Sequence, residues 1–124
     1  MTAEDEWTIE RHLAGQPQFA IDIFHRFIEA VAQIGPFTYA VSKSSITLKG
    51  THRGFAGARP VRGGLRGYFD LQREVVDPRI SSASAFSQKL IVHHFQLATA
   101  DQLDEQFRGW LREAYAVGAG AHRN

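Results

Sequence analysis

Residues 37–49 read FTYAVSKSSITLK, and apolar and polar side chains alternate along both halves of this stretch. Alternation with a period of two residues is typical of a β-strand that buries one face. The stretch therefore predicts two strands joined by a turn at Lys43 and Ser44, although the turn lacks an Asn-Gly pair. Because the connection is so short, we expect the two strands to pair antiparallel.

The residues before this stretch repeat with a helical period instead. In residues 19–34, FAIDIFHRFIEAVAQI, large apolar side chains recur at helical spacing, and the following Gly35-Pro36 predicts the end of that helix. A shorter helix is predicted over residues 7–13, with Thr8 as its N-cap.

The residues after the stretch return to the period of two. A weak strand is predicted over residues 54–61, at an edge or a bulge of the sheet, because Pro60 cannot donate a hydrogen bond to a neighbouring strand. Three further strands and one helix complete the chain: strands over residues 67–72, 80–86 and 89–97, and a helix that follows a capping box of Thr99 and Gln102 and ends at Gly118.

This order of elements predicts an α+β fold. Strands that follow one another without helical crossovers pair antiparallel, so we expect a two-layer sandwich in which a sheet of about five or six strands carries the N- and C-terminal helices on one face. The 124 residues suit one domain over residues 1–124, with frayed ends at residues 1–6 and 119–124.

Composition excludes several classes of site. The chain has no cysteine, so neither a disulfide nor a thiolate metal site can form, and the absence of cysteine suits a reducing cytoplasm. The first residues, MTAEDEWTIE, lack the features of a secretion signal, and no apolar stretch is long enough for a membrane helix. We therefore expect a cytoplasmic protein with no membrane contact, no metal and no cofactor.

Positive charge is concentrated in the middle of the chain. Residues 37–73 hold seven Lys or Arg against one Asp or Glu, whereas the whole chain has a net charge of only +1. Within that region, residues 52–67 read HRGFAGARPVRGGLRG, with four arginines and five glycines. Such a segment favours an anionic partner. The alternative is that an acidic helix and a basic sheet compensate each other within the molecule.

Candidate binding residues follow from the alternation. If helices cover the face that carries Phe69 and Leu71, the neighbouring side chains point to an open, polar face, which would also be the ordinary solvent side of such a sheet. His93 and His94 point to opposite faces, so they cannot share a metal ion, and the pattern does not decide which of them is open. The candidate ligand-binding residues are Lys49, Arg53, Arg59, Arg62, Arg66, Tyr68, Asp70 and His94.

Three functions fit these residues. The first is a module that binds an anionic ligand, either a small molecule or a nucleic acid, through the polar face and the Arg/Gly-rich segment. The second is a homodimer or larger assembly formed through strand edges or through the segment around His93 and Phe95. The third is an enzyme acting on a small anionic substrate, although no catalytic motif assigns its residues.

Several separate segments carry a family resemblance. TIERHLAGQP at residues 8–17, GPFTYAVSKSSITLKGTHRGFAGARP at 35–60, YFDLQ at 68–72 and VHHFQLATADQLDEQFRGWLREAYAVG at 92–118 resemble a bacterial family of small proteins, the domain of unknown function DUF5655. The resemblance implies a compact α+β domain. It implies no activity and no catalytic positions.

Overall fold

The computed structural model describes residues 6–123, and the predicted α+β fold is confirmed within them. Two short 3-10 helices, Ala100–Gln102 and Ala121–Arg123, accompany the longer elements. The α-helices are α1 (Ile9–Leu13), α2 (Gln18–Ala32) and α3 (Glu105–Gly118), and the strands are β1 (Thr38–Val41), β2 (Ile46–Lys49), β3 (Gly54–Val61), β4 (Gly64–Leu71), β5 (Ile80–Ala85) and β6 (Ile91–Leu97).

The six strands form one antiparallel sheet in the order β1-β2-β3-β4-β6-β5. Helices α2 and α3 both pack on β3 and β4, the central strands, so they cover the same face of the sheet. The predicted two-layer sandwich is therefore confirmed, and β1 and β5 form its two edges.

Strand β3 is central, so the prediction that it lies at an edge of the sheet is wrong. It pairs with β2 on one side and β4 on the other. Pro60 is tolerated because β2 pairs with β3 only as far as Ala58, which leaves Pro60 beyond the end of that ladder. The predicted bulge is confirmed: Leu48 lies opposite Ala56 and Lys49 opposite Gly54.

The helix ends follow local hydrogen bonds. The hydroxyl of Thr8 accepts a bond from the Arg11 amide, which confirms Thr8 as the N-cap of α1. The capping box of Thr99 and Gln102 forms, but it caps the N-terminus of the short 3-10 helix Ala100–Gln102, which precedes α3. Helix α3 has its own N-cap, Asp104, whose carboxylate accepts a bond from the Phe107 amide at 2.9 Å.

The core lies between the helices and the covered face of the sheet. Its centre is Phe69 on β4, whose ring lies 5.4–5.9 Å from four other aromatic rings, those of His93, Phe95, Phe107 and Trp110. Phe69, Phe95 and Phe107 are fully buried or nearly so, and this aromatic cluster joins the sheet to α3.

The two ends of the chain are described only in part. Residues 1–5 and 124, within the segments predicted to fray, lie outside the described residues. Residues 121–123 form the second 3-10 helix. The division of the chain into a single domain over residues 1–124 stays a prediction. Within residues 6–123, no helix is both long enough and apolar enough to cross a membrane.

Trp110→Ala should destabilise the protein strongly, because it removes a buried ring that contacts both Phe69 and Phe107. We expect the free energy of unfolding to fall by about 3–5 kcal/mol, measured by urea denaturation. Arg62→Ala, in an exposed turn, is the control and should change it by less than about 0.5 kcal/mol. A small loss for Trp110→Ala would mean that the aromatic cluster does not hold the two layers together.

Candidate functional site

The face of the sheet opposite the helices carries most of the predicted binding residues. We call it the open face and define it by Thr47 and Lys49 of β2, Arg59 of β3, Arg66, Tyr68 and Asp70 of β4, and His94 and Gln96 of β6. The strand register sets these residues beside one another: Tyr68 lies opposite His94, and Arg66 lies opposite both Arg59 and Gln96. Of the two adjacent histidines, His94 is the one on the open face.

His93 is a core residue. Its ring is fully buried and stacks on Phe69. Its Nδ1–H donates to the Ile91 carbonyl at 3.1 Å, and its Nε2 accepts a bond from the Val75 amide at 3.0 Å. Both ring nitrogens are therefore satisfied with the ring neutral, and burial lowers the pKa of His93.

Arg59 and Arg66 face each other directly across the β3–β4 pair. Neither of them forms an ion pair or a side-chain hydrogen bond with any residue in the described part of the chain. They border a shallow recess of about 280 Å³, which we call the Arg59–Arg66 recess; it is lined by Ser44, Ser45, Arg59, Arg66, Gly67, Tyr68 and His94.

Tyr68 is held in place by two neighbours. Its hydroxyl lies 3.0 Å from the hydroxyl of Thr47, two strands away. The ring reaches Thr47 because it crosses over Gly57, where a β-carbon would lie only 2.6 Å from the ring and 2.6 Å from the Ser45 hydroxyl. Burial is the main reason why the pKa of Tyr68 is raised, with the Asp70 carboxylate adding to that effect. The phenol therefore stays protonated.

Arg53 and Asp70 form the other polar centre of the open face. Arg53 Nη2 donates to Asp70 Oδ2 at 3.0 Å, and Arg53 Nε donates to the Gly54 carbonyl. Asp70 is only 3% exposed, and its Oδ1 is buried with no hydrogen-bond partner within residues 6–123. Burial raises the pKa of Asp70 to about 6 despite the nearby guanidinium of Arg53, so desolvation outweighs the ion pair.

Phe86 was not predicted to belong to the site. It follows β5, is 67% exposed, and its ring centroid lies 5.4 Å from the guanidinium carbon of Arg53. His122 was also missed: its ring lies 5.7 Å from that of His52, and its Nδ1 is buried with no hydrogen-bond partner among the described residues. The only sequence signal for Phe86 was a large aromatic side chain at the end of a weakly predicted strand. His122 falls in the tail that was predicted to fray.

The structure does not gather all eight predicted residues into one place. Arg66 and Asp70 are four residues apart on β4, which separates their Cα atoms by about 13 Å. Lys49 lines a separate recess of about 200 Å³ beside Phe37, and Arg62 lies in the exposed turn between β3 and β4. Arg59, Arg66, Tyr68 and His94 are the four that meet in one recess.

No three His, Asp or Glu side chains among residues 6–123 come together as a set of metal ligands. The expectations that the protein has no metal and no cofactor stay predictions.

The comparisons with known proteins identify a family without a known activity. The family model described as "Domain of unknown function (DUF5655)" matches residues 9–118. Because this match covers most of the 124 residues, the chain belongs to that family. No curated protein and no solved structure matches the chain.

The buried carboxyl of Asp70 should make stability depend on pH. Its folded pKa of about 6 lies above its ordinary value of 3.8, so between these two values the folded state holds more protons than the unfolded state. The free energy of unfolding should therefore fall as the pH rises through this window, by up to about 3 kcal/mol from this group.

Asp70→Asn tests this effect, because it removes the titration and keeps the shape. We expect the stability difference between wild type and Asp70→Asn, from urea denaturation, to change between pH 4 and pH 7. His93 acts in the opposite direction in both proteins and cancels in the comparison. Asp101→Asn, at an exposed position, is the control. A difference that stays constant with pH would show that Asp70 has an ordinary pKa.

Gly57→Ala should displace the Tyr68 ring, because the added methyl group overlaps it. We expect a loss of about 1–3 kcal/mol in stability and loss of the bond between Tyr68 and Thr47. Tyr68→Phe, which removes only the hydroxyl, is the matched control and should cost about 1 kcal/mol. Unchanged chemical shifts of the Tyr68 ring in Gly57→Ala would contradict this packing.

Proposed function

We propose that this member of the DUF5655 family is a binding module that holds an anionic ligand in the Arg59–Arg66 recess. The observation that carries the proposal is the direct opposition of two arginines without a counter-ion in the described part of the chain. Like charges directly opposite each other destabilise a sheet. An anion bound between them replaces that repulsion with two attractions.

The chemistry of the recess suits phosphate or carboxylate. The planar guanidinium group donates two parallel hydrogen bonds to either anion, and two such groups converge here from neighbouring strands. Tyr68, His94 and Ser45 add polar atoms around them. No carboxylate lines the recess, so nothing within it competes with an incoming anion.

The charges around the recess extend its attraction. Lys49 lies on the same face, Arg62 lies in the adjacent turn, and neither forms an ion pair within residues 6–123. Unpaired surface cations raise the local potential and so favour encounter with an anion. Arg53 contributes less, because the Asp70 carboxylate balances its charge.

The assembly and the enzyme stay predictions. Strands β1 and β5 leave two sheet edges for a second copy. For an enzyme, the hydroxyl of Tyr68 is bonded to Thr47 and the carboxylate of Asp70 to Arg53, while Lys49 borders a different recess. The Asp70 carboxylate lies close enough to act on the phenol of Tyr68, but the hydroxyl and the carboxylate are each already bonded to another side chain, and this arrangement favours binding over catalysis. A cytoplasmic location also stays a prediction.

Titration with inorganic phosphate, followed by the NMR shifts of His94, tests the proposal. We expect saturable shifts for wild type and an affinity about tenfold lower for Arg59→Ala and for Arg66→Ala, because each variant removes one charged hydrogen-bonding group. Each variant should also stabilise the free protein by about 0.2–1 kcal/mol, since it removes the repulsion between the two arginines.

Arg108→Ala is the matched control, because it removes one exposed cation from α3, on the other layer of the sandwich. Phosphate binding should be unchanged in this variant. If Arg108→Ala weakens binding as much as Arg66→Ala does, or if the His94 shifts do not respond to phosphate, the Arg59–Arg66 recess is not an anion site.

A further inference from the structure

A second recess lies beside the Arg59–Arg66 recess on the open face. The second recess has a volume of about 360 Å³ and is lined by Arg66, Ser81, Ser82, His94, Phe95 and Gln96. Arg66 and His94 border both recesses, so the two lie next to each other, and we call the pair the cross-strand groove. It runs from Ser45, beside β2, to Ser82 on β5, a distance of four strand spacings or about 19 Å.

We propose that the ligand of this groove is a single-stranded nucleic acid, an inference that rests on the proposed function of the Arg59–Arg66 recess. A single phosphate or carboxylate fits between the two arginines at one part of the groove and makes no contact with the part on β5. A chain of phosphates and bases has the length to contact both parts.

The groove offers what an unpaired strand requires. Arg59 and Arg66 provide charge for phosphates, and serine hydroxyl groups line both recesses. His94 is exposed, and its ring centroid lies 6.3 Å from that of Tyr68, so two rings lie side by side in the middle of the groove. Aromatic rings on an open sheet stack with bases, whatever the base, because every base has a flat face.

A second pairing of cation and aromatic ring lies on the same side of the sheet. Phe86 is largely exposed, with the guanidinium of Arg53 5.4 Å from its ring centroid. Asp70 connects this pair to the open face, because it binds Arg53 and lies about 13 Å along β4 from Arg66. The exposed ring of Phe86 extends the aromatic surface beyond the groove.

An unpaired strand suits this surface better than a duplex. In a duplex, the flat faces of the bases are hidden by stacking on one another, so His94, Tyr68 and Phe86 could contact only the sugar-phosphate edge. Proteins read duplexes mainly by inserting a helix or a two-stranded ribbon into a groove. The open face is a broad sheet surface, and no helix projects from it in the described part of the chain.

Fluorescence anisotropy with a labelled fifteen-residue oligo(dT), dT15, tests the inference on the full chain. We expect dT15 to bind more tightly than the dT15·dA15 duplex and more tightly than inorganic polyphosphate of matched length, which has charge but no bases. Arg59→Ala and Arg66→Ala should each reduce the slope of log affinity against log salt by about 0.7.

The aromatic residues have their own variants. His94→Ala and Phe86→Ala should each weaken dT15 binding by at least about fivefold, whereas His94→Phe and Phe86→Tyr, which retain a ring, should bind within about twofold of wild type. Val76→Ala is the matched control, because Val76 is an 89% exposed apolar residue and should leave binding unchanged.

The outcomes separate this inference from the proposed function. If phosphate shifts His94 but dT15 binds no more tightly than polyphosphate, the recess holds anions and the nucleic-acid inference is wrong. If dT15 binds and Arg66→Ala and His94→Ala leave its affinity unchanged, the strand lies elsewhere and the inference is also wrong. If neither phosphate nor dT15 binds, the proposed function fails with it.

Discussion

The position of Phe69 decides both the core and the candidate site. Its ring meets four others, and two of these, Phe107 and Trp110, come from α3, so β4 can present only one face to the helices. Successive residues of a strand point to opposite faces, and a slip of one residue would exchange them. Packing Phe69 inside therefore places Tyr68 and Asp70 outside. The aromatic core and the open face are two consequences of one register.

The open face includes several features that oppose stability. Arg59 and Arg66 repel each other, Asp70 is desolvated with one oxygen that has no partner in the described part of the chain, and Gly57 lacks a side chain in a central strand so that Tyr68 can cross it. On the covered face, the buried histidine, His93, has both ring nitrogens bonded, and Gly67 leaves room for the ring of Phe95. Departures from optimal stability are typical of binding sites, and the arginine pair and the buried carboxyl both lie on the open face.

The sequence predicts well which face of the sheet a residue lies on, and it predicts poorly which residues of other strands lie beside it. Alternation is a property of each strand alone, so it correctly assigned Phe69 to the core and Tyr68 to the open side. That Arg59 lies opposite Arg66 depends on the tight turn between β3 and β4. The predicted strands left residues 62–66 between them, whereas in the structure only residues 62 and 63 separate the two strands. His93 and His94 stayed ambiguous because apolar residues flank both of them. The central position of β3 was not predicted because a proline is rare in a central strand. Pro60 is tolerated here because β2 ends before it reaches that residue.

The distribution of ion pairs bears on whether the basic sheet and the acidic helices simply compensate each other. The chain has 13 acidic residues and 14 Lys or Arg, so counter-ions are not scarce. Arg79 binds Asp77 and Asp104, and Arg73 binds Glu113, which joins loops of the sheet to α3. Of these partners, Glu113 belongs to α3 and Asp104 is its N-cap, in the layer behind the covered face. Neither Arg59 nor Arg66 has a carboxylate partner within residues 6–123, so the ion pairs of the described residues do not balance the positive charge of the recess.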